Sequence, residues 1–193
     1  MALPTYDKSQ RRQTFEQLPK DAYVIEIKSA KEQKNKNTDG YHLAIAFDIA
    51  EGQYKDFYRK QFDSNTNEDK QWPYDGVFYL TIPADNSPDY VMRNWNSFFA
   101  DLEDSNNGFV FAGDVKTLKG KLLGAKMRIK QTESKGNIYD HTQMCWTCVA
   151  EDVRQGRAGK LPYDKLIQTP APASSGSGWT QIAQAMDDDL PFS

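Results

Sequence analysis

Residues 41–50 read Tyr-His-Leu-Ala-Ile-Ala-Phe-Asp-Ile-Ala. Tyr41, Leu43, Ile45, Phe47 and Ile49 recur at every second position, with His42, Ala44, Ala46 and Asp48 between them, which is the period of a β-strand with one face turned to a core. Working outward, residues 22–29 mix β-branched and aromatic side chains, with Tyr23, Ile25 and Ile27 on one face, and predict a strand. The polar stretch 31–40 between the two ends in Thr38-Asp39-Gly40, a turn composition. Gly52 allows a turn into residues 54–62, where Phe57, Arg59 and Gln61 oppose Tyr58, Lys60 and Phe62, so this segment is read as extended too. A polar loop over 63–75 carries Trp72, Pro73 and Tyr74 and leads to a further strand at 77–82, giving a meander.

The period changes over residues 88–105. Val91, Trp95, Phe98, Phe99 and Leu102 form one apolar stripe on a helix; Ser87 is placed to cap it, Pro88 suits its first position, and Asn106-Asn107-Gly108 supplies a stop. Period two then returns over 122–131 and 138–150, two strands joined across Lys135-Gly136-Asn137. Five to six strands with one interposed helix make the chain mainly β.

The 193 residues set an expectation of one domain with at most an appendage. A hydrophobic content of 38% and a mean hydropathy of -0.77 are on the polar side, so part of the chain is expected not to fold. Apolar runs such as 43–47 are far too short to span a bilayer, and residues 1–12 hold no apolar stretch ahead of a cleavage site. Together these predict a cytoplasmic protein with no membrane partner. Positive and negative side chains balance up to Thr169, so the net charge of -3 resides in Asp187, Asp188 and Asp189. Within the body, residues 115–136 carry seven cations, Lys116, Lys119, Lys121, Lys126, Arg128, Lys130 and Lys135, against the single anion Glu133. A basic segment and an acidic end on one chain make the overall pI of 5.4 a poor guide to its partners.

Three groups of residues could carry chemistry. Lys126, Arg128 and Lys130 alternate with Ala125, Met127 and Ile129, so three cations share one strand face about 6.5 to 7 Å apart, close to the phosphate repeat of an extended nucleic-acid strand. Aromatic and basic residues interleave at Tyr54, Lys55, Phe57, Tyr58, Arg59 and Lys60, and again at Trp72 and Tyr74. Exposed rings of this kind stack bases without regard to sequence. Solvation of a strand face and burial in a core are the ordinary explanations of the same residues. Residues 168–178, Gln-Thr-Pro-Ala-Pro-Ala-Ser-Ser-Gly-Ser-Gly, compose a linker. Beyond it, Asp187, Asp188, Asp189, Leu190, Pro191 and Phe192 pair an acidic run with an apolar anchor, suited to a basic-rimmed pocket on another protein or to the chain's own basic face.

The end of the chain resembles the acidic Asp-Asp-Asp-Leu/Ile-Pro-Phe tip of bacterial and phage single-stranded-DNA-binding proteins, with Asp187 to Phe192 matching it. The body is similar to a phage-encoded family of such proteins at residues 41–54, at Leu118-Lys119-Gly120-Lys121, and at Val153-Arg154-Gln155-Gly156-Arg157. One departure is that Ser193 follows Phe192, whereas in the bacterial family Phe is terminal. The resemblance implies an OB-like barrel of five to six strands, sequence-independent binding of single-stranded DNA during phage replication or recombination, and recruitment of replication or recombination proteins through the tip.

The expected organisation is an N-terminal arm at 1–19, an OB-like domain at 20–167, a linker at 168–186 and an acidic tip at 187–193, with the C-terminal tail disordered. The phosphate contacts fall to Lys126, Arg128, Lys130, Arg59 and Lys60, and base stacking to Tyr58, Trp72 and Tyr74. No catalytic residue, metal or cofactor is expected, and homo-oligomerisation stays open. Cys145 and Cys148 have C-x-x-C spacing but lack a second ligand pair and fall on a strand, where they face opposite ways. Asp21, Glu26 and Lys28 could hold magnesium for a nuclease, yet the polar face of a strand explains them. An adaptor or decoy that engages a host repair protein through the tip, and a strand-annealing factor, are the alternative readings.

Overall fold

A computed structural model describes residues 16–35 and 39–167; the linker and the acidic tip lie outside the described residues, as do positions 1–15 of the N-terminal arm. Five antiparallel strands form one sheet in the order β3-β2-β1-β4-β5: β1 Ala22–Lys34, β2 Tyr41–Ile49, β3 Val77–Thr81, β4 Leu122–Ser134 and β5 Asn137–Cys148. The helices are α1 Phe57–Ser64, α2 Asp89–Ser105 and the short α3 Ala150–Arg154. None of the described helices is long and apolar enough to cross a membrane.

The alternation on β2 has the predicted effect, burying Leu43, Ile45, Phe47 and Ile49 in the same core as Tyr23, Ile25 and Ile27 of β1. The other face of β2 is covered as well, since Ala44 and Asp48 are also buried. β1 outruns the predicted 22–29, because its polar half pairs onward to Lys34↔Tyr41. A bulge between Ile27 and Ser29 interrupts that ladder, and on the opposite edge of β1 residues 120–121 extend the pairing with β4: Gly120 N–H donates to the Ile27 carbonyl and Ile27 N–H to Lys121 O. The Leu118-Lys119-Gly120-Lys121 motif thus serves to seat Leu118 in the core. The β4–β5 turn places Lys135 and Gly136 at φ 51° and 76°, the left-handed pair of a two-residue hairpin turn that glycine favours.

The apolar stripe of α2 buries Val91, Phe98, Phe99 and Leu102, with Trp95 partly covered against Phe99. Ser87 does not cap it. Its Oγ accepts the Ala84 N–H and closes the preceding turn instead. At the far end the Asn106 side chain donates to Leu102 O and Leu122 O and accepts from Leu122 N–H, fastening the helix to the start of β4.

Residues 54–62 correct the sequence expectation, because their latter part is helix α1 and not an extended strand. Phe57, Tyr58, Gln61 and Phe62 lie at i, i+1, i+4 and i+5 and form a narrow covered side that parity counting cannot distinguish from a strand face. The start of the helix has no local side-chain cap. Its free N–H groups find one across the chain: Asp48 Oδ1 accepts from Tyr58 N–H at 2.9 Å, Asp48 Oδ2 from Arg59 N–H at 3.0 Å, and Oδ1 also from Ile49 N–H at 2.9 Å. Burial pushes the Asp48 carboxyl upward from its ordinary range, and these three N–H groups oppose that shift by favouring the carboxylate.

The ends of the domain also move. Leu18 is buried, its carbonyl accepts the Thr142 hydroxyl, and Tyr23 Oη donates to Pro19 O, so residues 16–19 belong to the fold rather than to an arm. Residues 164–167 lie along the free edge of β4, with Gln131 N–H donating to Lys165 O and Lys165 N–H to Ile129 O. Asp48→Ala is expected to lower stability by about 1–3 kcal/mol, by leaving N–H groups of α1 unpaired in a buried setting. A thermal melt within 1 °C of the parent would contradict this account of the helix.

Candidate functional site

The outer face of β4–β5 collects the predicted cations. Lys126 stands opposite Trp146, Arg128 opposite Gln143 and Lys130 opposite His141. A register shift between Lys126 and Met127 leaves Cys145 as the extra residue of β5, so Trp146 keeps the face of Lys126 despite the odd spacing from Gln143. All three cations are partly exposed. Arg128 Nε is buried and without a hydrogen-bond partner among the described residues.

Beyond Lys130 lies Tyr74, 58% exposed, with its ring edge-on to His141 at 6.2 Å. The neighbouring Asp75 Oδ2 is 3.2 Å from His141 Nδ1, and His141 Nε2 is 2.9 Å from Thr132 Oγ1. This contact latches the turn before β3 onto the middle of β5. Burial pushes the Asp75 carboxyl upward, and His141 and Gln143 oppose it. The row therefore runs between two exposed rings, Trp146 at one end and Tyr74 at the other.

Tyr58, expected to stack on a base, lies in the core instead. It is 1% exposed, with its ring edge-on to Phe47 at 5.5 Å and Phe57 at 5.2 Å, and a ring spent in the core has no face for a base. Trp72 is partly buried and held: its Nε1–H is shared between Phe47 O and Gly76 O, each at 3.1 Å, and its ring lies 5.7 Å from Phe62. It clamps the loop to β2. Arg59 and Lys60 do not join the cation row. They project from α1 on the side away from Phe57, Tyr58 and Gln61, where Arg59 pairs with Asp63 at 2.9 Å and Lys60 Nζ donates to Lys55 O at 2.8 Å. Arg154 and Arg157 are engaged likewise, Arg154 with Glu51 and Glu151 and Arg157 with Asp152.

Sequence reasoning missed a second aromatic group, Tyr79, Tyr90 and Trp146, which are 47%, 54% and 39% exposed. They line a groove of about 500 Å³ between α2, β3 and β5, where no ladder joins the two outer strands of the sheet. The only sequence signal for them was aromatic residues on the face opposite the apolar stripe, as at Tyr79 between Phe78 and Leu80. Cys145 also lines this groove, while Cys148 faces Gly124, and no disulfide joins them. Burial pushes the Cys148 thiol up to about 11, which leaves it protonated at neutral pH. Of the suggested nuclease residues, Glu26 pairs with Lys28 at 3.1 Å and Asp21 accepts the Ala22 N–H.

Gly76 lies under both Tyr58 and Trp72: an added Cβ would stand 2.9 Å from Tyr58 Cγ and 2.7 Å from Trp72 Nε1. Gly76→Ala is accordingly expected to cost about 1–3 kcal/mol through overpacking. An unchanged denaturation midpoint would show that Trp72 is not fixed as described.

Comparison of the chain with protein-family models and with curated proteins finds no match.

Proposed function

We propose that this protein binds single-stranded DNA without regard to sequence and has no catalytic activity of its own. One observation carries the reading: three cations on alternate positions of β4, flanked by the exposed rings of Trp146, cross-strand from Lys126, and of Tyr74, edge-on to the His141 that pairs with Lys130. Lys126, Arg128 and Lys130 supply a phosphate track whose attraction does not depend on base identity. Tyr74 offers a stacking surface that accepts any base, because every base has a π-face. A duplex keeps its bases stacked on one another and offers such rings nothing, so the combination of rings and cations favours the single strand.

The fold supports the same reading. Five strands in this order, with β1 paired to both β2 and β4 and an open seam between β3 and β5, agree with an OB-like, partly open Greek-key barrel, an architecture used for oligonucleotides. Arg59 and Lys60 stand apart from the direct phosphate contacts, since their partners are on α1 and in the turn before it. In the cell the protein would coat exposed strands during phage replication or recombination. Its tip, Asp187 to Phe192, would recruit partner proteins.

Reversal of Lys126, Arg128 and Lys130 to Glu is expected to weaken binding to oligo-dT and to reduce the slope of log affinity against log salt by about 2, from roughly 0.7 per lost phosphate contact. Fluorescence anisotropy with a labelled strand over a salt series measures both, with a thermal melt to check folding. Unchanged affinity in a folded variant would remove β4 from the site.

A further inference from the structure

We propose that the groove between α2, β3 and β5 is a nucleobase pocket, in which a base of the bound strand enters among Tyr79, Tyr90 and Trp146 while its phosphate stays at Lys126. The inference rests on the single-strand reading above and extends it to residues far from Tyr74.

The size fits: about 500 Å³ lies within the roughly 300–1,000 Å³ of sites for small molecules. Its chemistry fits a base better than an aliphatic side chain. Leu80 and Phe98 supply a buried apolar floor, and the three rings that rise from it come from three different elements. Tyr79 is held edge-on by His42, 4.9 Å away, so its ring is oriented before any ligand arrives. The α2 wall adds polar groups at Asn94 and Asp101, and Thr147 donates its hydroxyl to Asp101 Oδ2. A flat ring with a hydrogen-bonding edge uses both kinds of wall.

Position decides between occupants. Lys126 lines the groove and is also the first cation of the β4 row, cross-strand from Trp146. A strand whose phosphates follow Lys130, Arg128 and Lys126 is thereby delivered to the mouth of the groove.

The test uses the full chain and two strands of equal length, oligo-dT and a fully abasic analogue that keeps the phosphates and lacks the bases. The double variant Tyr90→Ala/Trp146→Ala is expected to bind oligo-dT about tenfold more weakly than the parent and the abasic strand equally well, since stacking is lost and the cation row is not. Tyr90→Phe/Trp146→Phe keeps the rings and is expected to restore most of the affinity. Equal weakening toward both strands would overturn the proposal by assigning the rings a structural role. Parent-like binding of oligo-dT by the variant would overturn the pocket and leave the single-strand function standing, whereas a parent chain that binds neither strand would refute both. A synthetic peptide of residues 187–193 whose binding is lost in the variant, with oligo-dT binding intact, would also overturn the proposal and make the groove a peptide site.

Discussion

A buried carboxylate governs how the chain leaves its central hairpin. Asp48 sits fully buried on β2 and accepts the N–H groups of Ile49, Tyr58 and Arg59, so the start of α1 is capped by a residue from a neighbouring strand. A buried charge is costly unless its hydrogen bonds are made. Here the need of the carboxylate for donors and of the helix start for an acceptor are met together. Once α1 is fixed at Asp48, Tyr58 is inside the core against Phe47, and Trp72 reaches back to the Phe47 carbonyl. Gly76 passes beneath both rings, and the chain enters β3 with Asp75 aimed at His141. Each step follows from the one before it.

The same sequence of contacts shapes the candidate surface. The latch from Asp75 to His141 joins the turn before β3 to β5, yet no ladder continues it, so the sheet stays open along that seam. Helix α2 packs across one end and leaves the groove beneath Tyr79, Tyr90 and Trp146. Tyr74 is presented at the latch, and the cation row of β4 connects the two places across one face. Aromatic residues that would ordinarily be buried are exposed there because the seam has no strand to cover them.

Local periodicity made much of this legible. The stripe of α2, the alternation of β2 and the cation face of β4 are each written within about a dozen consecutive residues, and each is where the sequence puts it. What could not be read depends on partners distant in the chain. Helix α1 reads as an extended segment because its cap comes from Asp48 and its covered side is only Phe57, Tyr58, Gln61 and Phe62 wide. Tyr58 and Trp72 read as stacking rings from the sequence, although one is consumed by the core and the other by two backbone carbonyls. Tyr74 alone of the three presents its ring to solvent. The groove brings together Tyr79, Tyr90 and Trp146, whose meeting requires the packing of α2 over the open seam, and no spacing rule could announce it.

Photocrosslinking tests the central claim most directly. A single strand carrying 5-bromodeoxyuridine, irradiated with the full chain and mapped by mass spectrometry of the peptides, reports which side chains touch bases. The account predicts adducts on Tyr74 and on peptides bearing Tyr79, Tyr90 or Trp146, lost when the strand is made duplex. Adducts confined to α3 or to the outer side of α1, or equal yields from the duplex, would contradict it.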